Sequence, residues 1–232
     1  MKTIGLIGGM SWESSAEYYR IINQTVKERL GGLHSAQVVM YSVDFADIAE
    51  LQHAGRWADA ARLLVDAAKR LEAGGADLVL LCTNTMHKVA EQLASAISIP
   101  LVHIADPTGE AIKARGVHTI ALLGTGFTME QDFYKARLAE RYGLRVIVPD
   151  EADRKVVHEV IYQELCLGQI RPESRAAYRD IMARLVGQGA EAIILGCTEI
   201  GLLVRAEDAT VPLFDTAHLH ALKAVDLALD PR

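Results

Sequence analysis

The chain has 232 residues, of which half are apolar and fewer than a quarter are charged. This length and composition are typical of a soluble globular protein with one large domain or two small ones. The formal net charge of −6 argues against a basic surface for nucleic acid, and no apolar run approaches the roughly 20 residues of a membrane helix. We therefore expect neither a nucleic-acid partner nor a membrane partner.

Three cysteines, Cys82, Cys166 and Cys197, are too few and too unevenly spaced for a disulfide framework or a cysteine-based zinc site. The N-terminal segment lacks the apolar core of a signal peptide. These features predict a cytoplasmic protein with reduced thiols. His218 and His220 would point apart on a helix, so no metal site is expected there.

Strands and helices alternate through the first half of the sequence. A buried strand is predicted over residues 3–7, and a helix is predicted to follow Ser11, a residue type that caps helices, and to end near residue 30. The later elements are a strand over 36–43, an irregular polar loop over 44–55, a helix over 57–73, a strand over 77–81, a helix to about 96 and a short strand over 100–104. Such alternation predicts a parallel sheet with helices on both faces.

The second half of the sequence repeats the first. Segment 119–125 resembles segment 3–9 at an offset of 116 residues, Gly189-Ala190 resembles Gly75-Ala76 at 114, and segment 211–213 resembles segment 99–101 at 112. After a join near 101–116, we expect helices near 129–141, 151–167 and 173–187, a strand near 144–148, and a final helix over 216–229 that packs back on the first half.

This repeat predicts an α/β fold of two pseudosymmetric, doubly wound domains with parallel four-stranded sheets. The first domain would comprise residues 1–100 and 214–232, and the second would comprise residues 101–213. Two halves related in this way would place their strand ends across one cleft, which is the expected active site.

Cys197 is the residue around which the functional interpretation is built. It lies with Thr198 and Glu199 just beyond a buried strand that ends at Gly196, at the sheet edge where ligands bind. A helix beginning there would favour its thiolate. The simpler interpretation is a small buried apolar residue, but the Gly-Cys-Thr-Glu context favours the reactive one.

The repeat also determines which residue of the first half corresponds to Cys197. At the offset of 114 residues that partner is Thr83 and not Cys82. Because side chains alternate along a strand, a shift of one residue reverses the face. Cys82 is therefore predicted to point into the fold as core packing.

Three motifs together, Gly8-Gly9-Met10, Thr83–His87 and Gly196–Glu199, resemble the aspartate/glutamate racemase family over essentially the whole chain. The resemblance implies two pseudosymmetric α/β domains, no pyridoxal phosphate or other cofactor, and an amino-acid substrate. In that family two cysteines flank the substrate Cα. One of them removes the proton as a thiolate, and the other delivers a proton to the opposite face.

The position of the first family cysteine is occupied here by Thr83. A threonine hydroxyl is not a base comparable to a thiolate without a strong activator. The site is therefore expected to be asymmetric, with Cys197 the base for the L-enantiomer and Thr83 on the opposite face as a hydrogen-bond donor or proton relay. Turnover of L-substrates should be favoured.

The substrate-binding residues implied by the resemblance lie at helix starts and in loops. Thr83, Asn84, Thr85 and Thr198 offer donors to an α-carboxylate. Met10 and Gln52 resemble substrate-lining positions, although a packing methionine and a solvated glutamine are the simpler interpretations. Glu199 would either orient the substrate ammonium or cap a helix.

Two further positions, His87 and Cys166, bear on the predicted site. His87 is expected inside the helix after Thr85, where it would support the loop. Many aspartate racemases of the family carry a lysine where this chain has Cys166, so strict aspartate specificity is not expected.

The leading hypothesis is thus a cofactor-independent racemase that interconverts L- and D-aspartate or glutamate, with a broader amino-acid range open. One alternative is a single-cysteine decarboxylase of the arylmalonate type. A second is an amino-acid-binding protein without catalysis. The partner in each case is a small molecule, and a homodimer is a candidate assembly.

Overall fold

The computed structural model describes residues 1–230 and divides them between two compact units. One unit comprises Met1–Ile104 together with the C-terminal segment from His220, and the other comprises Ala105–Leu219. Each contains one four-stranded parallel sheet. Within residues 1–230, no helix has both the length and the apolar character needed to cross a membrane.

The first unit is built from four strands and the helices that connect them. In chain order these are β1 (Ile4–Gly8), α1 (Trp12–Leu30), β2 (Val38–Ser42), α2 (Phe45–His53), α3 (Trp57–Ala73), β3 (Leu78–Leu81), a 3₁₀ helix (Thr85–Val89), α4 (Ala90–Ala96) and β4 (Leu101–Val102).

The second unit follows the same pattern. Its elements are α5 (Ala105–Ala114), β5 (Thr119–Gly124), α6 (Gly126–Glu130), α7 (Asp132–Tyr142), β6 (Arg145–Ile147), α8 (Glu151–Gln163), a 3₁₀ helix (Leu165–Leu167), α9 (Pro172–Gly187), β7 (Ala192–Gly196), α10 (Ile200–Leu203), a 3₁₀ helix (Ala206–Asp208) and β8 (Leu213–Asp215). The last helix is α11 (Thr216–Leu229), which from His220 onward belongs to the first unit.

The two sheets share strand order and register. The orders are β2-β1-β3-β4 and β6-β5-β7-β8, with every neighbouring pair parallel. Ile4 pairs with Leu78 in the first sheet, and the residues at the predicted offsets, Ile120 and Ala192, pair in the second. The predicted α/β fold with two parallel four-stranded sheets is confirmed, and residues related by the repeat hold equivalent places in their own sheets.

Helices cover the sheets through apolar faces. In α3, Ala60, Leu64, Ala67 and Leu71 recur at helical spacing and are buried in the core of the first unit together with Ile7, Val79 and Leu81 of the sheet. The central strands β1, β3 and β7 are buried along their whole length. Continuous apolar runs of this kind are what a parallel sheet covered on both faces requires.

The predicted loop over residues 44–55 is wrong, because most of it forms α2. Asp44 caps this helix by accepting the N–H of Ala46 at 3.0 Å, and Ile48, Leu51 and Gln52 are buried. A short helix with one cap and a narrow apolar face resembles a polar loop in the sequence. The feature of the sequence that distinguishes the helix from a loop is Asp44, a residue type that caps helices.

The segment near 101–116 also contains a helix, α5, rather than only a join. Pro107 is its third residue and is tolerated because N–H groups of the first helical turn have no intrahelical acceptor. At the other end of the chain, α11 returns to the first unit as predicted. Lys2 N–H donates to the carbonyl of Ala228 at 2.9 Å, and Arg29 pairs with Asp226 at 2.6 Å.

Candidate active site

The second unit places Cys197, Thr198 and Glu199 directly after β7, a central strand of its sheet. There is no room for a side chain at Gly196, because a Cβ added there would lie 2.5 Å from Leu122 Cδ1 and 2.8 Å from the carbonyl oxygen of Leu123. A glycine therefore ends the strand, and Cys197 is the first residue beyond it with a side chain. That side chain packs among the core residues of the second unit.

Cys197 and Glu199 form a buried thiol–carboxylate pair. The Cys197 Sγ donates to Glu199 Oε2 at 2.8 Å, and the Thr198 hydroxyl donates to the same oxygen at 3.0 Å. Glu199 is only 1% exposed. Its side chain makes no capping hydrogen bond to α10, so the helix-cap interpretation is wrong.

The expected lowering of the Cys197 pKa is also wrong. Burial raises the pKa of Cys197 well above its ordinary value, and the charge of Glu199 raises it further. The helix that follows has only four residues, too few for a large dipole at its start. These effects favour the protonated thiol of Cys197 over its thiolate.

Tyr162 of α8 is a neighbour of this pair that the sequence did not reveal. Tyr162 packs against the core cluster that contains Cys197. Burial raises the pKa of Tyr162, and electrostatic interactions with Cys197, Cys166 and Glu199 raise it further. Cys166 is half-buried and packs against the same core as Cys197. Nothing in the local sequence pattern distinguishes Tyr162 from an ordinary core tyrosine.

In the first unit, the equivalent strand β3 is followed by Cys82, Thr83, Asn84 and Thr85, all of which are buried. Cys82 is fully buried as predicted, and burial raises the pKa of its thiol. In the shared register Thr83 is equivalent to Cys197, and Thr85 is equivalent to Glu199. The first unit therefore has neither the thiol nor the carboxylate of the pair found in the second.

Met10 and Gln52 lie in the first unit, and both are buried. Met10 follows Gly9, whose φ of +94° and whose close approach to the Val43 backbone require a glycine. The Gln52 side-chain amide donates to Met86 Sδ at 3.0 Å. The solvated interpretation of Gln52 is therefore wrong, and the packing interpretation of Met10 agrees with its place in the core.

His87 supports the loop after β3, as predicted. Its Nδ1 lies 2.7 Å from the carbonyl oxygen of Thr83, and its Nε2 accepts the N–H of Ile104 at 3.1 Å. The predicted site residues thus fall into two groups. The first unit holds Met10, Gln52, Thr83, Asn84 and Thr85, and the second holds Cys197, Thr198 and Glu199.

The duplicated α/β fold has polar and thiol side chains at the carboxyl ends of its parallel strands, which is where α/β sheets bind small molecules. Residues 7–224 match the Asp/Glu/Hydantoin racemase family. The chain therefore belongs to the Asp/Glu/Hydantoin racemase family, and its enzymatic class is that of the isomerases.

Individual relatives agree with this assignment. The structure of a candidate Asp/Glu racemase from Yersinia pestis is 56% identical, with a TM-score of 0.91 over 99% of this chain and 100% of that one. An aspartate racemase homologue from Pyrococcus horikoshii OT3 is 34% identical, with a TM-score of 0.84 over 98% and 99%. The broad specificity amino-acid racemase RacX of Bacillus subtilis is 25% identical over 170 residues, 72% of each chain.

Proposed function

We propose that the protein is a cofactor-independent racemase of L-aspartate and L-glutamate, in which Cys197 removes the Cα proton and Thr83 serves the opposite face. The observation that carries the proposal is the asymmetry between equivalent positions. A thiol bonded to a buried carboxylate follows β7, and a threonine with no carboxylate two residues later follows β3. Such an arrangement fits one strong base and one weak proton donor.

The resting thiol becomes a base by passing its proton to Glu199. The bond from Cys197 Sγ to Glu199 Oε2 is the route for that transfer. The positive α-ammonium of a bound amino acid would favour the thiolate, because a nearby opposite charge stabilises the charged form. The thiolate then takes the Cα proton and becomes a thiol again, and Glu199 holds the first proton.

Inversion requires a proton on the other face of the carbanion. The Thr83 hydroxyl donates it and is reprotonated from solvent, while Glu199 releases its proton to solvent. One proton is removed from Cα and one is added, so the cycle is balanced. The buried donors Thr83, Asn84, Thr85 and Thr198 would bind the α-carboxylate and stabilise the enolate-like charge that forms on it.

The preference for L-substrates follows from the same asymmetry. Removal of the Cα proton from a D-substrate would require the Thr83 hydroxyl to act as the base, which is unfavourable near neutral pH. The equilibrium constant between enantiomers is one, so kcat/KM must be equal in the two directions. The preference therefore appears in kcat and in proton exchange without inversion, which L-substrates undergo readily and D-substrates do not.

The proposal is tested by incubating the protein with L-aspartate or L-glutamate in heavy water. Proton NMR would follow loss of the Cα signal, and chiral chromatography would follow the D-product. We expect both in the wild type and neither in Cys197→Ser, with Cys82→Ser as the matched control that retains them.

Two outcomes would contradict the proposal. If the protein produces neither exchange nor D-product but releases carbon dioxide from a disubstituted malonate, it is a decarboxylase. Calorimetric binding of the amino acid without exchange would identify a binding protein.

Location and assembly are part of the proposal. Cys82, Cys166 and Cys197 form no disulfide, which suits a cytoplasmic protein. A homodimer is the proposed assembly, and light scattering combined with size-exclusion chromatography would measure it directly.

A further inference from the structure

His87 makes a hydrogen bond to the backbone of the residue proposed to reprotonate the substrate. The carbonyl oxygen of Thr83 can only accept, so the His87 Nδ1 that lies 2.7 Å from it carries the proton. The His87 Nε2 accepts the N–H of Ile104 at 3.1 Å, as this tautomer allows. Both ring nitrogens are thus used, and the ring is 4% exposed.

The surroundings of His87 hold the ring in this orientation. His220 packs 6.0 Å away between ring centroids, and His103 packs 4.4 Å away. His220 is itself fixed, because its Nε2 donates to the carbonyl of Val102 at 2.8 Å and its Nδ1 accepts the hydroxyl of Tyr18 at 2.9 Å. The imidazole of His87 therefore belongs to a buried, hydrogen-bonded cluster rather than to a mobile side chain.

The second unit has no counterpart of this interaction. The residue equivalent to His87 is Gly201, and a Cβ added there would clash with the carboxylate of Asp215. The carbonyl of Cys197 instead accepts a backbone hydrogen bond from the N–H of Ile200 at 3.1 Å. A histidine side-chain bond to the carbonyl at this position is thus specific to the unit that carries Thr83.

We propose that His87 is a positioning residue for Thr83 in the racemase reaction. The peptide group is planar, so a bond to the Thr83 carbonyl fixes that plane and with it ψ of Thr83. The direction of the Thr83 Cα–Cβ bond relative to that plane is fixed in turn. This inference rests on the proposed function, because it concerns delivery of a proton to the face opposite Cys197. It predicts that losing the bond impairs inversion more than proton removal.

Two substitutions separate the two hydrogen bonds of the ring. His87→Asn retains an N–H donor close to the position of Nδ1 and loses the acceptor for Ile104. His87→Gln retains an acceptor close to the position of Nε2 and loses the donor to Thr83. Tyr18→Phe is the matched control, since it removes a buried hydrogen bond from the same cluster without altering the bond to Thr83.

The readout is the ratio of D-product to L-substrate deuterated with retention, measured from pure L-glutamate in heavy water. Misplacement of a reacting group by about 1 Å lowers rates by roughly 100-fold, so we expect this ratio to fall at least about 10-fold in His87→Gln. His87→Asn and Tyr18→Phe should keep it within about 3-fold of the wild-type ratio. A ratio that His87→Gln leaves unchanged, or that all three variants lower equally, would overturn the inference.

A measurement on the wild-type protein tests the inference even if a variant fails to fold. Nitrogen-15 NMR of histidine-labelled protein should show His87 as the neutral tautomer with the proton on Nδ1. Finding the proton on Nε2 would overturn the inference whatever the variants do. Wild-type protein that neither exchanges nor inverts L-glutamate would refute the proposed function itself, whereas normal wild-type activity with an unchanged ratio would refute only the role of His87.

Discussion

Replacing Glu199 by glutamine separates two opposite effects of this carboxylate on Cys197. The charge of Glu199 raises the pKa of the thiol, so its removal should lower that pKa and increase the thiolate fraction. A thiolate and a carboxylate 2.8 Å apart would repel each other by about 6 kcal/mol at an effective dielectric constant of about 20. If repulsion were the only role of Glu199, the variant would be more active than the wild type.

We expect the reverse, because the proposed mechanism needs Glu199 to receive the thiol proton. Loss of a positioned proton acceptor lowers rates by about 10²–10⁴-fold, equivalent to roughly 3–5 kcal/mol in the barrier. Glu199→Gln should therefore show a lower kcat together with a lower thiol pKa. The thiolate is measured by its ultraviolet absorbance as a function of pH, and kcat by chiral chromatography.

A suitable control is Glu164→Gln, which alters another carboxylate of the second unit, one that accepts the Ser174 hydroxyl at 2.5 Å. This variant should leave both the thiol pKa and kcat near their wild-type values. If Glu199→Gln raised kcat along with the thiolate fraction, Glu199 would act only through its charge, and the proton-transfer role would be refuted.

Three further predictions follow from the thiols and from Thr83. Cys197→Ser should lower turnover by at least about 10³-fold while Cys82→Ser retains most of it, and a folded Cys82→Ser protein without activity would contradict the register. Thr83→Cys should allow D-glutamate to gain deuterium with retention. The double variant Thr83→Cys/Thr85→Glu should increase this deuterium gain further, because it also supplies the missing carboxylate. If neither variant exchanged D-glutamate with retention, position 83 would be excluded as the second base. Burial raises the pKa of Cys82, so the folded protein keeps a proton that the unfolded chain releases above a pH of about 8.5. The free energy of unfolding should then fall with rising pH by up to about 1.4 kcal/mol per pH unit for this thiol, and urea denaturation should show a smaller fall in Cys82→Ala than in the wild type.

The sequence was most informative where the repeat could be counted. Offsets of 116 and 114 residues correctly predicted which residues of the two sheets occupy equivalent places, such as Leu78 and Ala192 beside Ile4 and Ile120. The same counting predicted that Cys82 is buried. These inferences succeeded because strand register is a property of the whole repeated pattern, and one ambiguous residue does not change it.

Side-chain geometry was beyond the sequence. The chain reads Cys-Thr-Glu in a way compatible with a helix start, and only the structure shows Glu199 turned back onto the Cys197 thiol. Burial of the Cys197 thiol, together with the charge of Glu199, reverses the expected direction of the Cys197 pKa. Tyr162 was missed because it lies 35 residues from Cys197 in the chain and approaches it only through the packing of α8.

The central claim is that Cys197 is the one strong base of an asymmetric site, and proton exchange with retention tests it most directly. L-glutamate and D-glutamate are each incubated in heavy water with the wild-type protein, and Cα deuterium in the unreacted enantiomer is measured at early times. The account predicts that L-glutamate gains deuterium with retention faster than D-glutamate forms, because the proton that Cys197 removes is exchanged for solvent deuterium by way of Glu199 and Cys197 returns a deuteron before Thr83 acts. D-glutamate should gain none with retention. Equal exchange with retention from both enantiomers would show two comparable bases and would contradict the account.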